Sequence, residues 1–202
     1  MMMKSQRPTK LTSQFTKALA YIAELQIKTK QCRKGKDVPY IAHLFGVASL
    51  VLEAGGSEEE VIAALFHDAV EDQWTSLEDI REKFGGPVAQ IVEGCSDTDQ
   101  YPKPPWKERK IRYIENLRNA SPEVLLVSMA DKLYNAQSTL ADLQERGEDF
   151  WSTFNAGRDD QLWYYQSLVD VYREKIRIHN WMLSELEDKL EKMKKVRTPK
   201  IR

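Results

Sequence analysis

From Leu11 into the 180s, apolar residues return at the three-and-four spacing of helices, and strand alternation is nearly absent. Leu11, Phe15, Ala18, Leu19 and Ile22 form one stripe. Ile41, Leu44, Ala48, Val51 and Leu52 form a second, stopped by Gly55-Gly56. Between them, residues 31–39 break the pattern with Gly35 and Pro39. Ser57 followed by Glu60 is a capping box that opens a third helix. Thr75-Ser76 offers a cap for a helix through Phe84, and Pro87 suits the first turn of the next, to about Glu93. Residues 94–105 (GCSDTDQYPKPP) read as a surface loop, and Trp106–Asn119 as a further helix. Ser121-Pro122 starts a helix to about Glu145, and one last long helix is expected from near Asp159 into the 180s. The fold class this predicts is all-α: a single domain, a helical bundle of about seven to eight helices. Its core spans about residues 11–185, with a flexible N-terminal tail and a Lys-rich C-terminal tail that frays beyond about Lys189.

The bulk properties narrow the function. The chain has 202 residues and a net charge of −1, too balanced for a typical duplex-DNA binder. It has no apolar run long enough to span a membrane and no secretory signal. Cys32 and Cys95 are its only cysteines, which fits a reduced, cytoplasmic protein. No nucleic acid or membrane partner is expected.

Chemistry concentrates in Ala64–Asp72 (ALFHDAVED), where polar groups stand in and after an apolar run. A buried His-Asp dipeptide is costly unless paired or bound to a metal. If the segment is helical, His67 and Glu71 share a face, as do Asp68 and Asp72. The chain has only three histidines: His43, His67 and His179. A lone histidine on an apolar face is usually a core residue. His43 and His67 stand apart because both sit in buried helices and His67 precedes Asp68. Asp131 adds a carboxylate in the apolar stretch Ser128–Leu133. Two imidazoles and two carboxylates suit Mn²⁺, Fe²⁺ or Zn²⁺ better than Ca²⁺. Four ligands leave positions open for water and substrate, an arrangement that eases deprotonation of water. Spacing does not assign His179, so a mononuclear site is expected. Glu71 and Asp72 follow one turn on, placed for proton transfer.

His43, His67-Asp68 and Asp131 together spell the H…HD…D signature of the HD phosphohydrolase superfamily. PYIAH (39–43), HDAVED (67–72), FG (84–85) and ADKLYNA (130–136) further resemble the hydrolase domain of the RelA/SpoT family. The pattern is similar to its short members, the small alarmone hydrolases and the metazoan SpoT homologue. This resemblance implies that His43, His67, Asp68 and Asp131 bind one Mn²⁺, with Fe²⁺ or Zn²⁺ as other candidates. It implies that Glu71 and Asp72 are the catalytic acids. Arg33 and Lys34 match positions that meet the nucleotide base and phosphates; Tyr134 and Asn135 match positions on the ribose and 3′ side. The implied activity is release of pyrophosphate from the 3′ position of (p)ppGpp or (p)ppApp. Two alternatives are an HD nucleotidase releasing orthophosphate from a nucleotide or NADPH, and a non-catalytic nucleotide sensor.

The chain departs from the family pattern in three places: a shorter loop between Lys34 and Pro39, Gln73-Trp74 after HDAVED, and the segment 95–110. Asp97 and Asp99 are expected to serve turns and caps. Lys103, Lys107, Arg109 and Lys110 read as a solvated basic rim. Trp151, Phe154, Trp163, Tyr164 and Tyr165 read mostly as core.

Overall fold

In a computed structural model, residues 9–98, 100 and 102–196 are described. They form α1 (Ser13–Thr29), α2 (Ile41–Glu53), α3 (Glu58–Phe66), α4 (Leu77–Phe84) and α5 (Gly86–Cys95). Then follow α6 (Trp106–Leu117), α7 (Pro122–Arg146), a 3₁₀ segment (Gly147–Thr153), α8 (Arg158–Lys175) and α9 (Asn180–Lys195). The all-α expectation holds. No helix among the described residues is long and apolar enough to cross a membrane.

The caps lie where the sequence puts them. Ser57 and Ser76 each close a capping box, and Ser121 accepts from the Val124 amide with Pro122 in the first turn. The central element is α7, against which α2, α3, α5 and α9 pack. Its apolar side buries Val127, Met129, Leu133, Ala136 and Leu143 almost completely. The site lies where α2, the end of α3 and the middle of α7 meet.

Two boundaries differ from expectation. The single last helix is two, broken between Lys175 and Asn180, with His179 in the left-handed region at φ 62°. The break adds a ninth helix to the expected seven or eight. No glycine or proline marks it, which is why periodicity ran straight through. The stretch after Lys189 does not fray: α9 continues to Lys195. Leu190 and Met193 bury there, and Lys189–Glu185 and Lys192–Asp188 pair one turn apart. Residues 1–8 and 197–202, where the tails were expected, lie outside the described residues, as does Asp99.

Gly46 on α2 shows how tightly α2 meets α7. A Cβ there would sit 1.9 Å from the Tyr134 ring. Gly46→Ala must therefore displace Tyr134, which packs against His43. It is expected to cost about 1–3 kcal/mol, read as a lowered midpoint in denaturant unfolding.

Candidate metal centre and its cleft

The motif HDAVED is not the helical interior that its spacing suggests. The α-helix ends at Phe66, and His67 is its C-cap, still at right-handed angles. The chain then makes one further turn and stops. Asp72 N–H donates to the Asp68 carbonyl at 2.9 Å, keeping that pair on one turn. Gln73 takes φ 59°, its amide donating to Val70, and Trp74 N–H reaches back to Ala69. This is a Schellman closure with glutamine in the place glycine usually fills. It sets the acidic pair at the end of the turn, beside the cleft rather than inside the bundle.

The histidines and two aspartates converge. His43 Nε2 and His67 Nε2 lie 3.1 Å apart. Asp68 Oδ2 is 2.9 Å from His67 Nε2 and 3.5 Å from His43 Nε2. Asp131 Oδ1 is 3.2 Å from His43 Nε2 and 3.5 Å from His67 Nε2. His43, His67 and Asp68 form a group of donor atoms close enough to share one ion. Both imidazoles are buried.

One contact tests whether a cation fits. His67 Nδ1 lies 2.7 Å from the Ala64 carbonyl, which can only accept. The proton therefore sits on Nδ1, and in the neutral ring Nε2 presents a lone pair to the shared point. Two imidazole nitrogens and two carboxylates around one point need a cation between them. Without one, the cluster holds protons instead. Burial opposes charge on His67, yet Asp68 and Asp131 outweigh it and hold its pKa well above the usual value. Burial likewise works to raise Asp131, but Lys132 and the imidazoles keep it well below the carboxylate range. The donor set fits a divalent transition ion.

The carboxylates are aimed by neighbours. Tyr40 donates its hydroxyl to Asp68 Oδ2 at 2.6 Å. Asn135 Nδ2 donates to Asp131 Oδ1 at 2.5 Å, and Lys132 holds the other oxygen. Gln31 Nε2 donates to Asp72 Oδ2 at 2.9 Å, and Trp74 Nε1 donates in turn to Gln31. Lys103 bridges Glu71 Oε1 at 2.9 Å and Asp72 Oδ1 at 3.3 Å. Burial and the Asp97 charge push the Glu71 carboxyl up, against Lys110 and Lys103.

The expected solvated face holds for Lys103 and Lys107, which are exposed, but not for Arg109, which is buried, or Lys110, which is partly so, and Asp97 is more than a turn residue. Asp97 is buried and gripped at 2.5 Å by both Arg109 and Lys110. Arg109 Nε also donates to the Pro104 carbonyl at 3.1 Å, and its guanidinium lies 3.6 Å from Glu71. Lys107 pairs with Asp160 and sits over the Trp163 ring. The loop that carries Lys103 is thus tied to α6 through buried charges. Asp97→Ala would leave Arg109 and Lys110 uncompensated and is expected to cost about 3–5 kcal/mol in denaturant unfolding. Burial opposes the Asp97 charge, but Lys110 and Arg109 prevail and lower its pKa. Its contribution is full above the unfolded-state value of about 3.9 and fades as pH falls through the folded value.

A cleft of about 260 Å³ opens beside the centre. Tyr40, Lys132 and Asn135 line it and also hold Asp68 and Asp131, so the cleft and the centre share a wall. Arg33, Lys34, Lys36 and Lys110 give it positive charge. Of the expected aromatic core, Trp151, Tyr164 and Tyr165 are buried as expected, and Phe154, Tyr164 and Tyr165 also help to wall the cleft. Arg33 Nη1 donates to Asn135 Oδ1 at 3.1 Å, with its guanidinium between the Tyr40 and Tyr134 rings. Lys34 donates to Asn155 at 3.0 Å and faces Phe154. Tyr134 is spent on packing: its ring meets His43 and its hydroxyl donates to the Ala42 carbonyl at 3.2 Å. His179 lies elsewhere, lining a separate cavity with Glu60 and Leu125.

Sequence reading did not single out Tyr40, Gln31 or Lys132. Tyr40 stood inside the quoted PYIAH motif. For Gln31 no local signal existed, because its partners are about forty residues away in sequence.

An all-α bundle with H…HD…D side chains gathered at one buried point defines a class, and the HD-domain family model matches residues 18–162. The chain belongs to the HD-domain family. It is 39% identical over 126 residues to the human guanosine-3′,5′-bis(diphosphate) 3′-pyrophosphohydrolase MESH1, covering 61% of this chain and 66% of that protein. It is 33% identical to the Drosophila melanogaster MESH1 over 166 residues, covering 80% and 86%. The matched stretch spans a little under two thirds of the zebrafish and human relatives, 62% and 66%. Among solved structures, one described as a metazoan ortholog of SpoT that hydrolyses ppGpp superposes with TM-score 0.73 at 30% identity. That match covers 91% of this chain and 97% of that one. The lmo0812 protein of Listeria monocytogenes EGD-e gives TM-score 0.64 at 33% identity, covering 74% and 96%. The likeness to SpoT-type hydrolases read from the motifs is thus matched by these relatives over the stretches compared.

Proposed function

We propose that this chain is a Mn²⁺-dependent 3′-pyrophosphohydrolase of guanosine alarmones, releasing pyrophosphate from (p)ppGpp. The observation that carries the reading is the join between centre and cleft. The two imidazoles and two carboxylates lie beside a cation-lined, aromatic-walled cleft and are linked to it through Tyr40, Lys132 and Asn135. Such a cleft suits a flat base bearing several phosphates. The relatives named above as ppGpp hydrolases support the same substrate class.

In this reading His43, His67, Asp68 and Asp131 hold the ion. When bound, it would supply Lewis acidity toward a phosphoryl oxygen and a water. The rest falls to the chain. Glu71 and Asp72 move the proton of the attacking water and return one to the leaving oxygen. Burial and the Asp97 charge push the Glu71 carboxyl up, so it holds a proton more readily than a free carboxyl. Gln31 fixes one oxygen of Asp72, leaving the other toward Lys103. Arg33 and Lys34 grip base and phosphate, and Asn135 couples Arg33 to Asp131. Tyr134 seats His43 and backs Arg33.

The test is a substrate panel with Mn²⁺: guanosine and adenosine 3′-pyrophosphates, NADPH and simple nucleoside monophosphates. The expected products are pyrophosphate and the matching nucleotide from the guanosine substrate. Orthophosphate as the released product would instead indicate a nucleotidase, and binding without turnover a sensor.

A further inference from the structure

The cleft has a second polar end that the chemistry above does not use. On α7, Asp131, Asn135, Ser138 and Asp142 recur at i, i+4, i+7 and i+11, one stripe along one face. The stripe starts at the metal centre and ends about three turns away at Asp142. Asp142 is a nearly buried carboxylate on the cleft wall. Lys36 comes across from the 33–36 loop and donates to Asp142 Oδ2 at 2.8 Å and to Ser138 Oγ at 3.1 Å. Phe150 and Phe154 supply aromatic surface nearby.

Arg146 also ties this loop to α7, donating to the Gly35 carbonyl at 3.5 Å. The chemistry of the pair matters more than its strength. An ammonium is a donor only, and a carboxylate an acceptor only. Side by side they present donor, acceptor, acceptor. The Watson–Crick edge of guanine is the complement: O6 accepts, while N1–H and the N2 amino group donate. Adenine offers the reverse at the first two positions, a donating N6 amino group and an accepting N1, and lacks the N2 amino group.

We infer that Lys36 and Asp142 form a guanine-edge reader at the end of the cleft opposite the metal centre. The inference rests on the nucleotide reading of this cleft and adds residues that select the base. Ser138 holds the Lys36 ammonium in place, and Lys36 keeps one proton free for O6. Asp142 offers Oδ1 to one donor of the base and the second lone pair of Oδ2 to the other. Adenine would set donor against donor and lone pair against carboxylate, leaving buried polar groups unpaired.

The measurement is calorimetric binding of GDP and of ADP to the Mn²⁺-loaded full chain. The wild type is expected to favour GDP by about 10-fold or more, and Asp142→Asn and Lys36→Met each to reduce that ratio toward one. Equal affinity in the wild type, or no binding of either nucleotide, would overturn the inference. So would a variant that weakens GDP and ADP alike, the signature of a strap. Two variants on separate elements guard against one failing to fold. No turnover is required, so a chain that releases no pyrophosphate but prefers GDP through Asp142 would lose the proposed activity and keep the reader.

Discussion

Asp131→Ala is expected to abolish ion binding and hydrolysis together. Asp131 lies within 3.2–3.5 Å of both imidazole nitrogens and is one of the two carboxylates that balance an ion's charge there. Losing a partner one shell out from a metal typically costs 10–100-fold in affinity, so loss of a ligand is expected to exceed about 10²-fold. Titration of Mn²⁺ by electron paramagnetic resonance reads the affinity, and pyrophosphate release reads the activity. The substitution also strips Lys132 of its partner in a buried setting. Asp131→Asn is the companion that keeps shape and a hydrogen-bond acceptor. Both variants are expected to lose the ion. Retained stoichiometric Mn²⁺ in the asparagine variant would remove Asp131 from the ligand set.

Glu71→Gln and Asp72→Asn are expected to separate binding from chemistry. Neither residue reaches the shared donor point; both face Lys103 at its edge. Ion affinity should therefore stay within a few-fold while turnover falls by about 10²-fold or more, the usual contribution of a positioned acid or base. Glutamine keeps the shape of Glu71 and removes its titration, so loss of activity without loss of Mn²⁺ isolates the proton step. Normal turnover in both variants would reject the proton-transfer roles.

How much the sequence disclosed depends on where each signal resides. Ser57 with Glu60, and Ser121 with Pro122, carry their structural meaning within one turn, and the helices begin where they say. His67-Asp68 in an apolar run announces a polar pair within the fold, and the pair is there, with His67 buried and Asp68 half-buried. The Schellman stop after Asp72 was hidden because Gln73, not glycine, takes the left-handed angle. The break at 176–179 was hidden for the same reason. Asp97 looked like a turn residue because its partners, Arg109 and Lys110, lie one loop and a helix start away. Lys36 and Asp142 are unremarkable charges until the fold brings them together across more than a hundred residues. Local grammar is legible; charge pairs made by tertiary contact are not.

The most direct test is diffraction at the manganese absorption edge from crystals grown with MnCl₂. One anomalous peak per chain is expected, enclosed by His43 Nε2, His67 Nε2 and the carboxylates of Asp68 and Asp131. An empty point between those four side chains under saturating Mn²⁺, or an ion held by other residues instead, would contradict it.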